Sequence, residues 1–559
     1  MRFGINIFTL IFTLILLIFL FSPTNAQENM GYTLDNSLNL NDHIKNWLHI
    51  QSNLTNFKME NTHLHAKTEV ISFYEKRDYN PVWVNQKGLF PRGQQLFTLL
   101  SNSNKQALNP KDYHLSALIN LWRNINENKA GNSTYDILAQ MEILFTDAFL
   151  VYISDLHSGR VDPESLERVW VKKSSLNLIN FLEHTINNNE LSQVNEKLSP
   201  DSASFEKLYD ILDKYKTISR TGGWVDLDEE TTLHPGDSHD NVKDLRKRLQ
   251  QEPYQDINLK DEKKDFFDNN LKKAVENFQN RFGLEVTGTA DSETLQALNI
   301  PVDRIIDKIK LNIERWRWLP QNLGDEYILV NIPDFNLKLV KNSKSKMEMK
   351  AIIGKKQRQT PVFSSKITHL VFSPRWYIPR SIAVEDYLPH VKEDTTYLKN
   401  RNIKVYEEKD NRFKRIDPDE VEWEDVKKDN FNYYFWQDPG PWNSLGRVIF
   451  KLPNSYDIYL HDTPQQDLFN EKIRSFSSGC IRLENAISLA LYLLQDNEKW
   501  DLQKIKEVID NRKETTVFLS QPVPIYLLYW TVWVEDNNQL HYRNDIYDRD
   551  KTLKNIVLN

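Results

Sequence analysis

Cysteine is almost missing from this chain of 559 residues; there is one, Cys480. No internal disulfide can form. Glycine is scarce at 16 residues, which excludes a collagen-like repeat. No long heptad run occurs, which excludes a coiled coil. Aromatic residues at 11% exclude disorder along the whole chain. The formal net charge is −7, so the basic face of a nucleic-acid binder is lacking and no nucleic-acid partner is expected. No glycine-rich phosphate cradle and no zinc-protease helix motif are found. His63 and His65 sit two apart without further clustered ligands, so neither a metal site nor a cofactor is expected. Ser204-Phe205-Glu206-Lys207 and Ser343-Lys344-Ser345-Lys346 fit a serine–lysine enzyme signature. Neither is followed by the Lys-Thr-Gly strand that chemistry uses, and both read as chance.

Long apolar runs are also lacking, with one exception at the N-terminus. Met1-Arg2-Phe3 is followed by an apolar run from Ile5 to Phe21 and then Ser22-Pro23-Thr24-Asn25-Ala26. Residues 1–26 read as a secretory signal peptide cut after Ala26. The other reading is an uncleaved anchor, and membrane contact is expected only through this segment. The mature protein is expected to be exported, to a periplasm or cell envelope. Exported cysteines generally pair, so Cys480 is the residue to explain.

Hydrophobic residues at 40% and charged residues at 27% fit a globular protein, and the length fits about three to four domains. Residues 27–65 are polar and Asn-rich and read as a linker. Residues 66–232 read as a helical scaffold. Leu144, Ala148, Val151 and Asp155 keep helical spacing until Ser158-Gly159 and Pro163 stop the helix. Residues 233–300 read as a three-helix module, with Val242, Leu245 and Leu249 on one face and Leu271, Ala274, Phe278 and Phe282 on another. Residues 301–322 are expected to return to the scaffold as a helix. From 323 to 520 the period becomes two, as in Ile328-Val330-Ile332 and Phe335-Leu337-Leu339, and a mostly-β domain is expected. Further strands are expected at Tyr456 to Leu460 and at Val517-Phe518-Leu519. An insertion at about 376–435 is dense in Lys, Glu and Asp. Its charges read as a solvated excursion, and its position allows a lid over a cleft. Residues 521–559 are expected to be a C-terminal tail, as an edge strand or packed back on the scaffold. The fold class is multidomain α+β.

The chemistry concentrates in Tyr459-Leu460-His461-Asp462-Thr463-Pro464 and Ser477-Ser478-Gly479-Cys480-Ile481-Arg482-Leu483. An ordinary thiol is mostly protonated at neutral pH and needs a neighbour to take its proton before it attacks an acyl carbon. His461 ends a predicted strand and Cys480 sits on a glycine-preceded turn, so two loops of one sheet can bring them together. The pairing predicts a thiol alkylated faster than a free one at about pH 6. Gly479 permits a backbone shape closed to other residues. The N–H groups of Gly479 and Cys480, with Ser478 and with Ser477 in support, form a candidate oxyanion hole. The fork of Arg482 suits a carboxylate, on a substrate or on the protein. Asp462 is one candidate to orient His461. Its side chain should point away from that of its strand neighbour, and a backbone carbonyl serves equally well.

These two strings strongly resemble the catalytic motif of the YkuD-type L,D-transpeptidases. The likeness extends through Asn312 to Pro320, Val330-Asn331-Ile332-Pro333, Gln359-Thr360-Pro361-Val362-Phe363 and Pro439 to Gly446. With Phe73-Tyr74, Asn80-Pro81-Val82-Trp83 and Leu144 to Ala148, the chain resembles the large YcbB-type members. Ala274-Val275, Phe278-Gln279, Gly283-Leu284, Thr287-Gly288 and Thr294 to Asn299 resemble the bacterial peptidoglycan-binding module. In one respect the chain departs from the pattern. Many relatives carry histidine before the Gly-Cys pair, where this chain has Ser478, and His461 is then the only base candidate near the thiol in sequence.

The resemblance implies a helical scaffold with an inserted peptidoglycan-binding module, followed by a YkuD-like catalytic domain. It implies Cys480 as nucleophile and His461 as general base and acid. The substrate would be peptidoglycan, its stem peptides and glycan, with a tetrapeptide donor losing D-Ala and a 3→3 cross-link forming. Two other readings stay open: a cysteine hydrolase (an L,D-carboxypeptidase) of stem peptides, and a non-catalytic peptidoglycan-binding scaffold.

Overall fold

The computed structural model describes residues 39–53, 58–127, 134–166, 169–170, 175–253, 264–535 and 538–558. The expected signal segment, 1–26, lies outside them. The expected linker does not hold as such. Helix α1, Leu40–Asn53, places Leu40, Ile44, Trp47 and Leu48 on one apolar face. All four are buried in the scaffold core.

That core is wrapped around α2 (Lys67–Glu75), α3 (Pro91–Ser101), α4 (Leu115–Asn126), α5 (Thr134–Ser158) and α6 (Leu178–Asn187). The middle of α5 is buried without a break from Leu138 to Leu150, as a helix apolar on every side must be. Of its two buried carboxylates, Glu142 accepts the N–H groups of Val82, Trp83 and Val84 and the Tyr74 hydroxyl, and Asp147 accepts the N–H groups of His65 and Ala66. The motif around Tyr74 and Pro81 is thus a strap held on a buried carboxyl group.

The scaffold's last helix, α7 (Ala203–Arg220), leaves this core. It packs instead with the three-helix module, α8 (Asp240–Gln250), α9 (Asn269–Phe282) and α10 (Ser292–Leu298), and with the return helix α11 (Val302–Arg317). In the module the Gln279 amide ties down the turn after α9. Its oxygen accepts from Thr287 N–H and Gly288 N–H at 3.0 and 2.9 Å, and its nitrogen donates to Thr289 O at 2.8 Å.

The mostly-β domain is a closed ring of strands. They are β1 (Glu326–Asn331), β2 (Asn336–Lys341), β3 (Lys344–Gly354), β4 (Val362–Phe372), β9 (Val448–Lys451), β10 (Leu460–His461), β12 (Ile481–Leu483) and β13 (Thr515–Leu528). The order is β9-β10-β12-β3-β2-β1-β13-β4, and β4 pairs back onto β9. Ile328, Val330, Leu337 and Leu339 fill its interior, as the period of two predicts. A short strand, β11 (Ser475–Ser477), runs parallel to β3 at the rim.

Three expectations change here. Residues 521–528 are not a tail or an edge, because β13 lies between β1 and β4, with Pro524 accommodated opposite Lys366 after a register shift. Beyond it β14 (Val532–Val534), β15 (Leu540–Tyr542) and α12 (Arg549–Val557) pack back on α11, with Trp530 stacked on Trp316 at 4.2 Å. The expected strand from Tyr456 shortens to Leu460–His461. Before it the Asn454 side chain holds a turn, accepting from the N–H groups of Tyr456 and Ile458. The insertion is no solvated excursion. It folds as a cap with a four-stranded sheet, β7 (Arg412–Ile416), β6 (Ile403–Lys409), β8 (Tyr433–Gln437) and β5 (Trp376–Ile378). Val391, Leu398, Val405, Phe431 and Phe435 form its own core.

Candidate active site

Strands β10 and β12 run parallel, pairing Leu460 with Ile481 and His461 with Arg482. Ile481 N–H donates to Tyr459 O at 3.1 Å, which sets Tyr459 beside Cys480. Side chains alternate along a strand, and Leu460 and Ile481 enter the ring's core. Tyr459, His461, Cys480 and Arg482 point the other way and line one cleft of about 1140 Å³. The cap forms its other wall, through Tyr377, Ile382, Asp386 and Tyr387. Its position over the cleft is that of a lid.

His461 is buried, and its Nδ1 lies 2.6 Å from the Asp462 carbonyl. A carbonyl only accepts, so Nδ1 carries the proton and Nε2 is the base. The Asp462 carboxylate does not touch the ring. It accepts Arg447 N–H at 2.9 Å and the Arg447 guanidinium at 2.6 and 3.1 Å. Of the two orienters open in the sequence, the backbone carbonyl is the one used. Gly446, at φ +66°, makes room, since a Cβ there would stand 2.6 Å from Asp462.

Cys480 is half-buried on a turn whose glycine, Gly479, has φ +118°. The Gly479 N–H donates to Ser477 Oγ at 3.1 Å, and Ser477 Oγ donates to Cys480 O at 2.5 Å. Gly479 N–H is therefore engaged and is not an open oxyanion donor. Ser477 braces the turn. The Ser478 hydroxyl accepts from Arg358 at 2.9 Å. Thr360 Oγ1 donates to Gly479 O at 2.8 Å and accepts Gly354 N–H at 2.9 Å. The thiol lies 3.9 Å from Asp457 O and against the Tyr459 hydroxyl. It shares a face with His461, but its contacts in this state are with Asp457 and Tyr459. Arg482 donates to Gln465 at 2.7 Å, its Nε is buried without a partner, and no carboxylate among the described residues pairs with it.

The L,D-transpeptidase catalytic domain of the YkuD family matches residues 325–516. A family described as "Putative peptidoglycan binding domain" matches residues 238–298, and one described as "Scaffold domain" matches 68–212. The chain carries a YkuD-type L,D-transpeptidase catalytic domain. It also carries the peptidoglycan-binding domain. Over 272 residues it is 34% identical to a Haemophilus influenzae protein described as "Putative L,D-transpeptidase", covering 48% of this chain and 54% of that one. It spans about half the length of that curated relative. Two solved structures share 12% identity with it. An L,D-transpeptidase from Mycobacterium smegmatis aligns over 36% of this chain and 58% of its own, with a TM-score of 0.17. One from Xylanimonas cellulosilytica aligns over 53% and 97%, with a TM-score of 0.18.

In the transpeptidase domain burial sets the charge states. Burial first, and then the Arg482 cation, bring the His461 pKa down to about 3, so the ring is neutral. Burial pushes the Cys480 thiol up to about 11, against the smaller opposing effect of Tyr459. At rest Cys480 is a thiol and His461 a neutral imidazole. This direction runs against the expected fast alkylation at acidic pH, because desolvation of the sulfur outweighs its polar neighbours.

Sequence reasoning missed Arg358, Arg447 and Tyr547. Arg358 joins the cap to the nucleophile turn, through Glu385 and Asp386 at 2.5 Å and Ser478 at 2.9 Å. Nothing in its Lys-rich surroundings marks it. Tyr459 had a signal, since it stands two residues before His461 on a predicted strand.

Proposed function

We propose that this protein is a peptidoglycan L,D-transpeptidase that works through a cysteinyl thioester. The observation that carries the reading is the shared face of two adjoining parallel strands: Arg482 is the register partner of His461, Cys480 stands two residues before Arg482, and all three line the cleft. A rotation about the Cys480 Cα–Cβ bond turns Sγ from Asp457 toward the His461 Nε2. His461 then takes the thiol proton as Sγ attacks the carbonyl of the diamino acid at position three of a tetrapeptide stem. The C–N bond to the terminal D-Ala breaks, the amine leaves with the proton from His461, and a thioester remains. An amine of a second stem gives its proton to the same nitrogen, attacks the thioester and closes a 3→3 cross-link. His461 is neutral at rest, which is the form that can accept the first proton.

Arg482 supplies a cationic fork for the donor's terminal carboxylate. The Cys480 N–H is the donor assigned to the developing oxyanion. The cap keeps water from the thioester. Because the thioester conserves the acyl bond energy, no nucleotide is consumed. The peptidoglycan-binding domain holds the enzyme on its polymeric substrate and raises local concentration. Such a substrate places the protein outside the cytoplasm, in a periplasm or cell envelope. Incubation with a disaccharide-tetrapeptide, followed by mass analysis of products, tests the reading. Cross-linked dimer is expected. Tripeptide without dimer would mean hydrolysis, and unchanged tetrapeptide would leave only a wall-binding scaffold.

A further inference from the structure

We propose that the outer face of the cap sheet is a binding platform for a polysaccharide. Its occupant is the glycan strand whose stem peptide enters the cleft, an identity that rests on the function proposed above. The cap strands alternate strictly. Ile378, Ile403, Val405 and Phe435 turn into the cap core. Their neighbours Tyr377, Tyr406, Tyr434 and Trp436 turn outward, and Phe413 joins them from β7. The register sets Tyr406 opposite Tyr434 and Tyr377 opposite Trp436. The rings form one connected row. Trp436 lies 4.0 Å from Tyr406, 5.2 Å from Tyr377 and 5.2 Å from Phe413, and Phe413 lies 4.8 Å from Tyr434.

This row stands in water. Tyr377 is 54% exposed, Phe413 48% and Tyr434 40%. A contiguous aromatic patch left open on a well-packed subdomain marks a contact surface. Two features select its partner. Tyr377 belongs both to the row and to the catalytic cleft, so the platform continues the cleft outward. Charged groups are interleaved with the rings: Lys404 is opposite Trp436, Arg415 is opposite Tyr406, and Glu408 accepts the Tyr434 hydroxyl at 2.8 Å. The centre of a protein–protein interface is depleted of such charges. A sugar ring wants both, an aromatic face for its C–H side and polar groups for its hydroxyls.

Titration calorimetry of the full chain tests this, with a stem-free, β-linked N-acetylhexosamine oligomer as the probe. F413A/Y434A removes two exposed rings, and a melting curve verifies that the variant is folded. Its affinity for the oligomer should fall roughly tenfold or more, and F413Y should keep wild-type affinity. Equal affinity of F413A/Y434A and wild type would overturn the proposal. So would a change in the variant's sedimentation coefficient without loss of oligomer binding, which would mean the row meets a second copy. Cys480→Ala must bind the oligomer like wild type. If wild-type protein binds through this face yet turns over no stem peptide, only the enzymatic reading falls.

Discussion

The Tyr547 hydroxyl, near the chain's C-terminal end, donates to the Gly354 carbonyl and accepts the Thr360 N–H at 3.3 Å. Thr360 in turn holds Gly479 O, one residue from the nucleophile. A segment after the last ring strand thus buttresses the turn that presents Cys480. Tyr547→Phe should lower kcat about fivefold, leave KM within about twofold and cost a few degrees of Tm, since one net hydrogen bond is worth about 1 kcal/mol. Steady-state kinetics with a melting curve checks it, and a raised KM with unchanged kcat would show that the buttress does not act on the nucleophile.

Thr360→Val tests the same relay closer in. It removes the acceptor of Gly354 N–H and the donor to Gly479 O, both buried. Leaving buried polar groups unpaired costs about 1–3 kcal/mol each, so denaturant titration should show a clear loss of stability together with slower turnover.

Asp462→Asn separates two roles. The carboxylate serves Arg447, whereas the backbone carbonyl holds His461. Stability should drop by about 1–3 kcal/mol, because a charged hydrogen-bonded pair is broken. The pH profile of kcat/KM should keep its shape. A fall of about 10⁴-fold in kcat, as when a carboxylate sets the tautomer, would contradict the assignment.

The thiol sets a pH dependence with a definite sign. With a folded pKa of about 11 against about 8.5 in an open chain, Cys480 binds more protons when folded between those values. Stability therefore falls as pH rises through that window, and Cys480→Ala should lose less there. Alkylation by iodoacetamide should be slower than that of a free thiol at pH 7 and should climb steadily with pH. A plateau below about pH 7 would mean a stabilised thiolate instead.

What the amino-acid order reveals depends on distance along the chain. The strand alternation at Ile328 to Leu339 and the string around His461 and Cys480 are local, and they read directly. The α1 helix was legible too, since Leu40, Ile44, Trp47 and Leu48 keep helical spacing. Asn-rich flanks masked it. The central strand β13 was hidden by Pro524, which normally marks an edge. Here Pro524 follows a register shift and is tolerated inside the ring. Arg358, Arg447 and Tyr547 act through partners from 15 to 193 residues away, and no local pattern carries that information.

The thioester itself is the most direct test of the account. Wild-type protein mixed with a tetrapeptide stem and quenched early should show, by intact mass, an acyl-tripeptide adduct that peptide mapping assigns to Cys480. Cys480→Ala should show none, and His461→Ala should accumulate it far more slowly. Turnover of the tetrapeptide by Cys480→Ala, or an adduct on any other residue, would contradict it.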